Sequence, residues 1–511
     1  MTFCGPSLSA PVDVVGLLDQ VVASLPDDLA VVSASERLSW RQLDDASRRL
    51  AANLLALGLS QGDRVASLMP NVPTLVVFYI ACVRAGVVAT PLNYRYTPTE
   101  IDYALRVSQA SALVVHADRV ADVDHSLEVG RLPVGVLWFG DPASTSTSLE
   151  QLIAEEPESA LLPAVDRSHP AFVFFTSGST GSPKGVTHSF DSIGWIAAST
   201  SKLLEYRRGD RFIVGSSLSH EGGVGFSFAA ISAGVPLIIP PTMAPDEVLP
   251  MLREHRPTVM WTLPALLITL VRSDNATADD FDSVRMCMTG GDQTPDQLER
   301  EFESLAGFAI HQSYGTTESG DVATNPRHGL DKRGSIGNLT PGYEGSLRDD
   351  DGNEVAPGTE GRLWIRSETN MIGYWNDDEA TADVRDCDGF LDSGDVMTLD
   401  EDGYLWFRGR KKQIIVHDGS NISPQEVEGV LLEHPAVAAA GVVGIVDADH
   451  GENVCAYVVL RDPLSRPSDR ELIDFARERV GYKAPAEIVV IDSLPRDRSC
   501  RRMSRAESDL T

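Results

Sequence analysis

Cysteine is scarce in this chain. There are six in 511 residues (Cys4, Cys82, Cys287, Cys387, Cys455 and Cys500), and no two form a C-x-x-C pair. That excludes a disulfide framework and a thiolate zinc site, and predicts free thiols in a reducing compartment. Positive charge is also short, with 43 Lys and Arg against 74 Asp and Glu, a net charge of −31. Sequence-independent binding to nucleic acid needs a basic surface, so that class is excluded. Anionic small molecules are not excluded, because a nest of backbone N–H groups acts locally. No apolar run is long enough to span a bilayer. The longest, "LVVFYIACV" (Leu75 to Val83), stops at Arg84 and predicts a buried helix. No basic stretch leads into an apolar core at the N-terminus, so no secretory signal is expected. The expectation is a soluble cytoplasmic protein with neither membrane nor nucleic acid as partner.

What is present points to layered α/β architecture. A chain of this length exceeds one hydrophobic core, so at least two domains are expected. "WRQLDDASRRLAANLLALGL" sets Leu43, Ala46, Leu50, Leu54 and Leu57 on one helical face, and Gly58 offers a stop. "RVASLM", "VVAT", "ALVVHA", "RFIVGSS", "VPLIIP" and "TVMWTL" read as strands between helical segments. After about residue 400 the texture changes. "DEDGYLWFRGRKKQIIV" has the alternation and turn residues of a hairpin. In "SPQEVEGVLL", Ser423, Pro424 and Glu426 read as N-cap, first helical residue and capping-box partner. Two strands and the amphipathic "DRELIDFARERV" complete a compact α+β unit. The boundaries expected are a large layered domain of mixed sheets and helices over 1–410 and a small mobile α+β domain over 411–511.

"FVFFTSGSTGSPKG" (Phe172 to Gly185) carries the most chemistry. An apolar strand runs into Thr176, Ser177, Gly178, Ser179, Thr180, Gly181 and then Lys184. Glycines let the backbone approach a polyphosphate, hydroxyls donate to its oxygens, and lysine adds charge. The spacing is not that of a Walker loop. The stretch resembles the phosphate loop of the adenylate-forming superfamily, which includes acyl-CoA synthetases, peptide-synthetase adenylation domains and beetle luciferases. Further segments resemble that family in its order. "QSYGTTES" (Gln312 to Ser319) is similar to the nucleotide segment, which places Ser313, Tyr314, Gly315, Thr316 and Thr317 around the nucleotide. The resemblance implies that Tyr314 stacks on adenine, Thr317 meets the α-phosphate and Glu318 holds Mg2+. "TGGD" resembles the wall beside the acyl group and contributes Gly291 and Asp292, although an apolar residue is commoner at the latter. "FLDSGD" brings Asp395 to the ribose hydroxyls, with Arg410 of "FRGRKKQ" beside it. "GRLWIRSETNMIGYWN" reads as a structural segment of the same family.

The resemblance also implies a two-step cycle. Lys412 falls at the family's hinge, whose rotation swings the small domain between an adenylating pose and a thioester-forming pose. "VHDGSNISP" (Val416 to Pro424) resembles the loop lining the pantetheine tunnel; Gly419 and Asn421 are kept, but Asp418 replaces a usual glycine. In the family, the C-terminal segment reads approximately L-P-[RK]-T-x-x-G-K-[IV], and its lysine bridges the substrate carboxylate and the α-phosphate. Here "LPRDRSCRRMSR" (Leu494 to Arg505) puts Asp497, Cys500 and Arg501 at the Thr, Gly and Lys positions, and the last lysine is Lys483. A guanidinium keeps the charge but not the shape or reach of an ammonium. The expected activity is acyl-CoA ligation impaired in adenylation, converting a preformed acyl-adenylate and CoA into thioester, with a separate adenylating enzyme as supplier. Two alternatives stay open: a complete ATP-dependent synthetase, and a non-catalytic protein that binds AMP or acyl-adenylate. "SHEGGVGF" (Ser219 to Phe226) lies at the acyl pocket, where His220 reads equally as gate or as structural histidine. With three glycines and no aspartate there, a bulky apolar carboxylic acid is expected.

Overall fold

The computed structural model describes residues 2–140, 147–159, 161–176, 182–292, 294, 296–326, 332–410, 415–422, 424–447, 449–462, 466–492 and 494. The chain divides into two compact units. The first comprises 1–94, 101–176 and 184–411, and the second 95–100, 177–183 and 412–511.

The first unit has three sheets among its described residues. One of eight strands has a parallel core of Val88–Pro91, Arg64–Leu68, Ala112–His116 and Gly135–Phe139, flanked by the antiparallel pair Pro170–Thr176 and Lys184–Ser189. A second, of nine, centres on parallel Phe212–Gly215, Val259–Thr262, Met286–Thr289 and His311–Thr316. Gly320–Thr324 folds back antiparallel on the last of these. Parallel strands buried on both faces read as continuous apolar runs, which is why the short runs in the sequence signalled them. The third sheet, of five strands, is antiparallel and includes Leu391–Leu399 and Leu405–Arg410.

Local chemistry explains the helices. Trp40–Ala56 begins at a full capping box, in which Ser39 accepts from the Gln42 N–H and Gln42 accepts from the Ser39 N–H. Its Leu43, Ala46, Leu50 and Leu54 are buried, while Leu57 is only partly covered. Full burial of one leucine contributes roughly 1.5–3 kcal/mol. "LVVFYIACV" lies in the helix Pro73–Ala85, closed by the left-handed Gly86.

The second unit packs Pro424–Glu433 and Asp469–Val480 on a sheet of five described strands. The long strands Val437–Asp447 and Gly451–Leu460 pair antiparallel, and Glu487–Val490 adds parallel. Val427, Leu431, Val442, Val458, Leu472 and Ala476 share its core. "DEDGYLWFRGRKKQIIV" divides between units: Leu405–Arg410 completes a hairpin in the first, whereas Ile415–His417 joins the sheet of the second. Ser423 lies outside the described residues, and the Glu426 carboxylate accepts from Lys483 Nζ at 2.9 Å. No described helix is long and apolar enough to cross a membrane.

Candidate functional site

The phosphate-loop strand Pro170–Thr176 and its antiparallel partner Lys184–Ser189 hold Thr176 opposite Lys184 in register. Ser177, Gly178, Ser179, Thr180 and Gly181, between them, lie outside the described residues. Lys184 sets its ammonium over the Tyr374 ring, 4.8 Å from the centroid. The Tyr374 hydroxyl donates to Glu318 Oε1 at 2.9 Å. Tyr374 therefore joins the phosphate-loop lysine to the expected metal carboxylate, a role not readable in "GRLWIRSETNMIGYWN".

The hairpin His311–Thr316 and Gly320–Thr324 presents the nucleotide segment. Tyr314 is nearly buried, at 9% exposure, and its hydroxyl donates to Asp395 Oδ2 at 2.6 Å. Asp395 is fully buried and pairs through its backbone with Arg410 across the third sheet. The expected adenine and ribose partners thus form one hydrogen-bonded unit. Ser313 is buried, and Thr316 and Thr317 are partly exposed. Gly315 is required by close packing, since a Cβ there would stand 2.5 Å from the Gly320 carbonyl oxygen. His188 positions the segment from below. Its Nε2 lies 2.7 Å from the Thr317 carbonyl oxygen, which can only accept, so Nε2 carries the hydrogen and Nδ1 faces the Ser192 hydroxyl. Burial pushes the His188 imidazole down to about 4, keeping it neutral.

The residues expected beside the acyl group include buried acids that the sequence did not signal. Thr289, Gly290 and Gly291 end the strand Met286–Thr289 beside Ser313, and a Cβ at Gly290 would sit 2.4 Å from Ser313 Oγ. Gly291 takes φ +84 and Asp292 is partly buried. His220 is exposed at the N-cap of Glu221–Ser232. The next residue, Glu221, is 8% exposed. Burial pushes its carboxyl up to about 8, reinforced by the charges of Asp321 and Glu318. Burial likewise pushes Asp321 up to about 8, against a hydrogen bond from Ser313. Asp321 Oδ2 is sealed without a hydrogen-bond partner among the described residues. Both carboxyls are thus held above the ordinary carboxylate range by burial. Glu221 was visible inside "SHEGGVGF", and Asp321 two residues after "QSYGTTES", but neither position signalled burial.

In the second unit, Asp418 and Gly419 take φ +49 and +69 between the paired residues His417 and Ser420. Left-handed angles at both central positions define a type I′ hairpin, for which Asp-Gly is a favoured pair. Asp418 in place of glycine is thus a workable turn residue. Asn421 is in the strand Ser420–Ile422, and its side chain, like that of Arg410, lies outside the description. So do Lys412 and Arg501.

Comparison with known proteins decides the family. The AMP-binding enzyme model matches residues 18–375, and its companion, the AMP-binding enzyme C-terminal domain, matches 426–501. The chain belongs to the AMP-binding enzyme family. An indoleacetate–CoA ligase of Aromatoleum aromaticum is 32% identical over 94% of this chain and 94% of that protein. A feruloyl-CoA synthase of Amycolatopsis sp is 33% identical over 92% and 93%. The solved amide bond synthetase McbA from Marinactinospora thermotolerans superposes with a TM-score of 0.86 at 30% identity, over 94% of this chain and 96% of that one. The large N-terminal and small C-terminal domains of this chain match the fold of adenylate-forming enzymes. Oxygen ligands are what magnesium takes, and the carboxylate of Glu318 fits that demand.

Proposed function

We propose that this AMP-binding enzyme joins a bulky apolar carboxylic acid to coenzyme A through an acyl-adenylate, and that the thioester half-reaction is its stronger one. The observation that carries the reading is the pairing of an assembled nucleotide site, with Tyr314 on Asp395 and Tyr374 between Lys184 and Glu318, with Arg501 at the lysine position of the C-terminal motif. In the thioester step the CoA thiolate attacks the acyl carbonyl, the C–S bond forms, the C–O bond to phosphate breaks, and AMP leaves. For that step the chain must hold AMP and admit the thiol. Asp395 and Tyr314 hold the ribose and base end, Thr317 and Lys184 the phosphate, and Gly419 and Asn421 line the thiol's approach. Mg2+ at Glu318 would neutralise phosphate charge when bound.

Adenylation asks more. Charge must sit between carboxylate and α-phosphate within a fraction of an ångström, and a displacement on the order of 1 Å costs about 10²-fold. Arg501 is broader than lysine, and Cys500 replaces the glycine that would free the loop. The cycle then turns on rotation about Lys412. An external enzyme supplying adenylate has no support among the relatives, two of which are named for acids joined to CoA. Aromatic names among them favour an aromatic or similarly bulky acid.

A second reading, a complete synthetase in which Arg501 serves fully, is favoured by the retained Lys184 and Glu318. Two reactions separate them: thioester formed from synthetic acyl-adenylate plus CoA, and thioester formed from acid, ATP and CoA, each with a panel of aryl acids. A first rate well above the second supports slow adenylation, and equal rates support the complete synthetase.

A further inference from the structure

The second unit contains a cluster of two imidazoles and a carboxylate that the nucleotide site does not use. Two hairpin turns lie side by side at one end of its sheet. One is the Asp418–Gly419 turn; the other joins Val437–Asp447 to Gly451–Leu460 and carries His450. Their backbones are tied together: His417 pairs with Gly451, and the Asp418 N–H donates to the His450 carbonyl at 3.0 Å. Asp447 Oδ1 accepts from the N–H groups of Asp449 and His450 at 2.9 and 3.0 Å, which fixes the second turn. Three side chains meet between the turns. His450 Nδ1 lies 2.9 Å from Asp418 Oδ1, and His417 Nε2 lies 3.8 Å from Asp418 Oδ2. One ligand atom from each residue falls within 4.8 Å of the others.

The tautomer of His417 is set from behind. Its Nδ1 lies 2.7 Å from the Glu452 carbonyl oxygen, which only accepts, so Nδ1 carries the hydrogen and donates. The Nε2 lone pair of the neutral ring then faces a carboxylate oxygen, an arrangement that a cation between them would relieve. A backbone carbonyl on the far nitrogen is also the usual support of a metal-ligating histidine. Zinc binds imidazole nitrogen and carboxylate oxygen at about 2.0–2.2 Å, so two ligands of one ion stand roughly 3–4 Å apart. Each imidazole nitrogen stands at about that distance from one oxygen of the Asp418 carboxylate, His450 from Oδ1 and His417 from Oδ2.

We propose that His417, Asp418 and His450 form a binding site for a zinc-class divalent ion, with two nitrogens and one carboxylate from the protein and the remaining coordination open to water. The ion replaces the proton between His450 Nδ1 and Asp418 Oδ1 and staples the two turns. Because the Asp418–Gly419 turn belongs to the segment resembling the pantetheine loop, occupancy would also fix the shape of that loop. The inference stands whether or not the proposed acyl-CoA chemistry is correct.

The test titrates the full, chelator-stripped chain with Zn2+ by calorimetry and with Co2+ by visible spectroscopy. One tight ion per chain is expected, with Co2+ d–d bands and no thiolate-to-cobalt charge-transfer band. The paired His417→Gln and His450→Gln change should weaken binding at least about tenfold, the scale on which even supporting residues of metal sites act. Asp418→Gly, which keeps a residue able to form the I′ turn, should do the same. Zn2+ should raise the melting temperature of the wild type and not that of the variants. No uptake, or identical titrations by wild type and folded variants, overturns the site. If the variants fail to fold, the Co2+ spectrum of the wild type decides alone: nitrogen–oxygen d–d bands uphold it, and silence or a thiolate band overturns it.

Discussion

Asp395 is the residue on which the nucleotide reading can be weighed most sharply. It is fully buried, accepts the Tyr314 hydroxyl at 2.6 Å, and stands at the position that the family resemblance assigns to the ribose. Asp395→Ala removes two things at once. The charged partner of the ribose hydroxyls is worth about 1.5–3 kcal/mol, which converts to roughly 10- to 150-fold weaker AMP binding. The buried acceptor of Tyr314 is lost as well, at a cost of about 1–3 kcal/mol in folding stability. Asp395→Asn keeps an acceptor for Tyr314 but not the charge, so it should recover much of the stability and little of the affinity. Calorimetric titration with AMP and thermal melts of both variants and of Tyr314→Phe separate the two effects. In a double-mutant cycle, Asp395→Ala and Tyr314→Phe should couple in stability, because they share one hydrogen bond. AMP affinity unchanged in both Asp395 variants, with stability alone affected, would make Asp395 a structural acid and refute its place at the ribose.

Tyr374→Phe keeps the ring under Lys184 but deletes the hydrogen bond to Glu318. Mg2+-dependent ATP binding should weaken by about tenfold or more, the worth of a bond to a charged group, and unchanged Mg2+ dependence would count against the bridge. Glu221 and Asp321, both raised to about 8, bind protons in the fold that the unfolded chain has released above its ordinary carboxylate range. Stability should therefore fall as pH rises from about 4.5 to about 8, by at most about 1.4 kcal/mol per pH unit for each group, and level off above. Melts at several pH values should show a flatter profile for Glu221→Gln and Asp321→Asn, and an identical slope would refute the buried acids. Limited proteolysis should cut first between about residues 408 and 420, as an exposed hinge at Lys412 requires, releasing a fragment of about 10 kDa; early cleavage elsewhere would argue against that hinge.

The parallel strands were legible because burial on both faces leaves an unbroken apolar run, and the helix Trp40–Ala56 because Leu43, Ala46, Leu50 and Leu54 recur on one face. Tyr314 and Asp395 were legible as motif residues, but not as partners, since 81 residues separate them and only the register of two sheets brings them together. Tyr374 was hidden for the same reason. Its neighbours Lys184 and Glu318 come from a strand and a turn far from it in the sequence, so its aromatic ring read as core. Glu221 and Asp321 were misjudged by omission. An acid in a polar loop stretch looks solvated, and its burial depends on packing from the nine-stranded sheet and the helix Glu221–Ser232. Asp418 was legible as a departure from a family glycine, and the left-handed turn accommodates it because Asp-Gly is a good I′ pair. The Asp418–His450 contact joins two turns whose adjacency the linear sequence does not reveal.

The claim that Arg501 separates the two half-reactions is tested most directly by acid-dependent ATP–pyrophosphate exchange in the wild type and in Arg501→Lys, alone and with Cys500→Gly. The account predicts feeble exchange by the wild type, a rise of about 10²-fold or more when lysine is restored, and thioester formation from added acyl-adenylate that hardly changes. Robust exchange by the wild type, or no gain in Arg501→Lys while both proteins consume the adenylate, would contradict it.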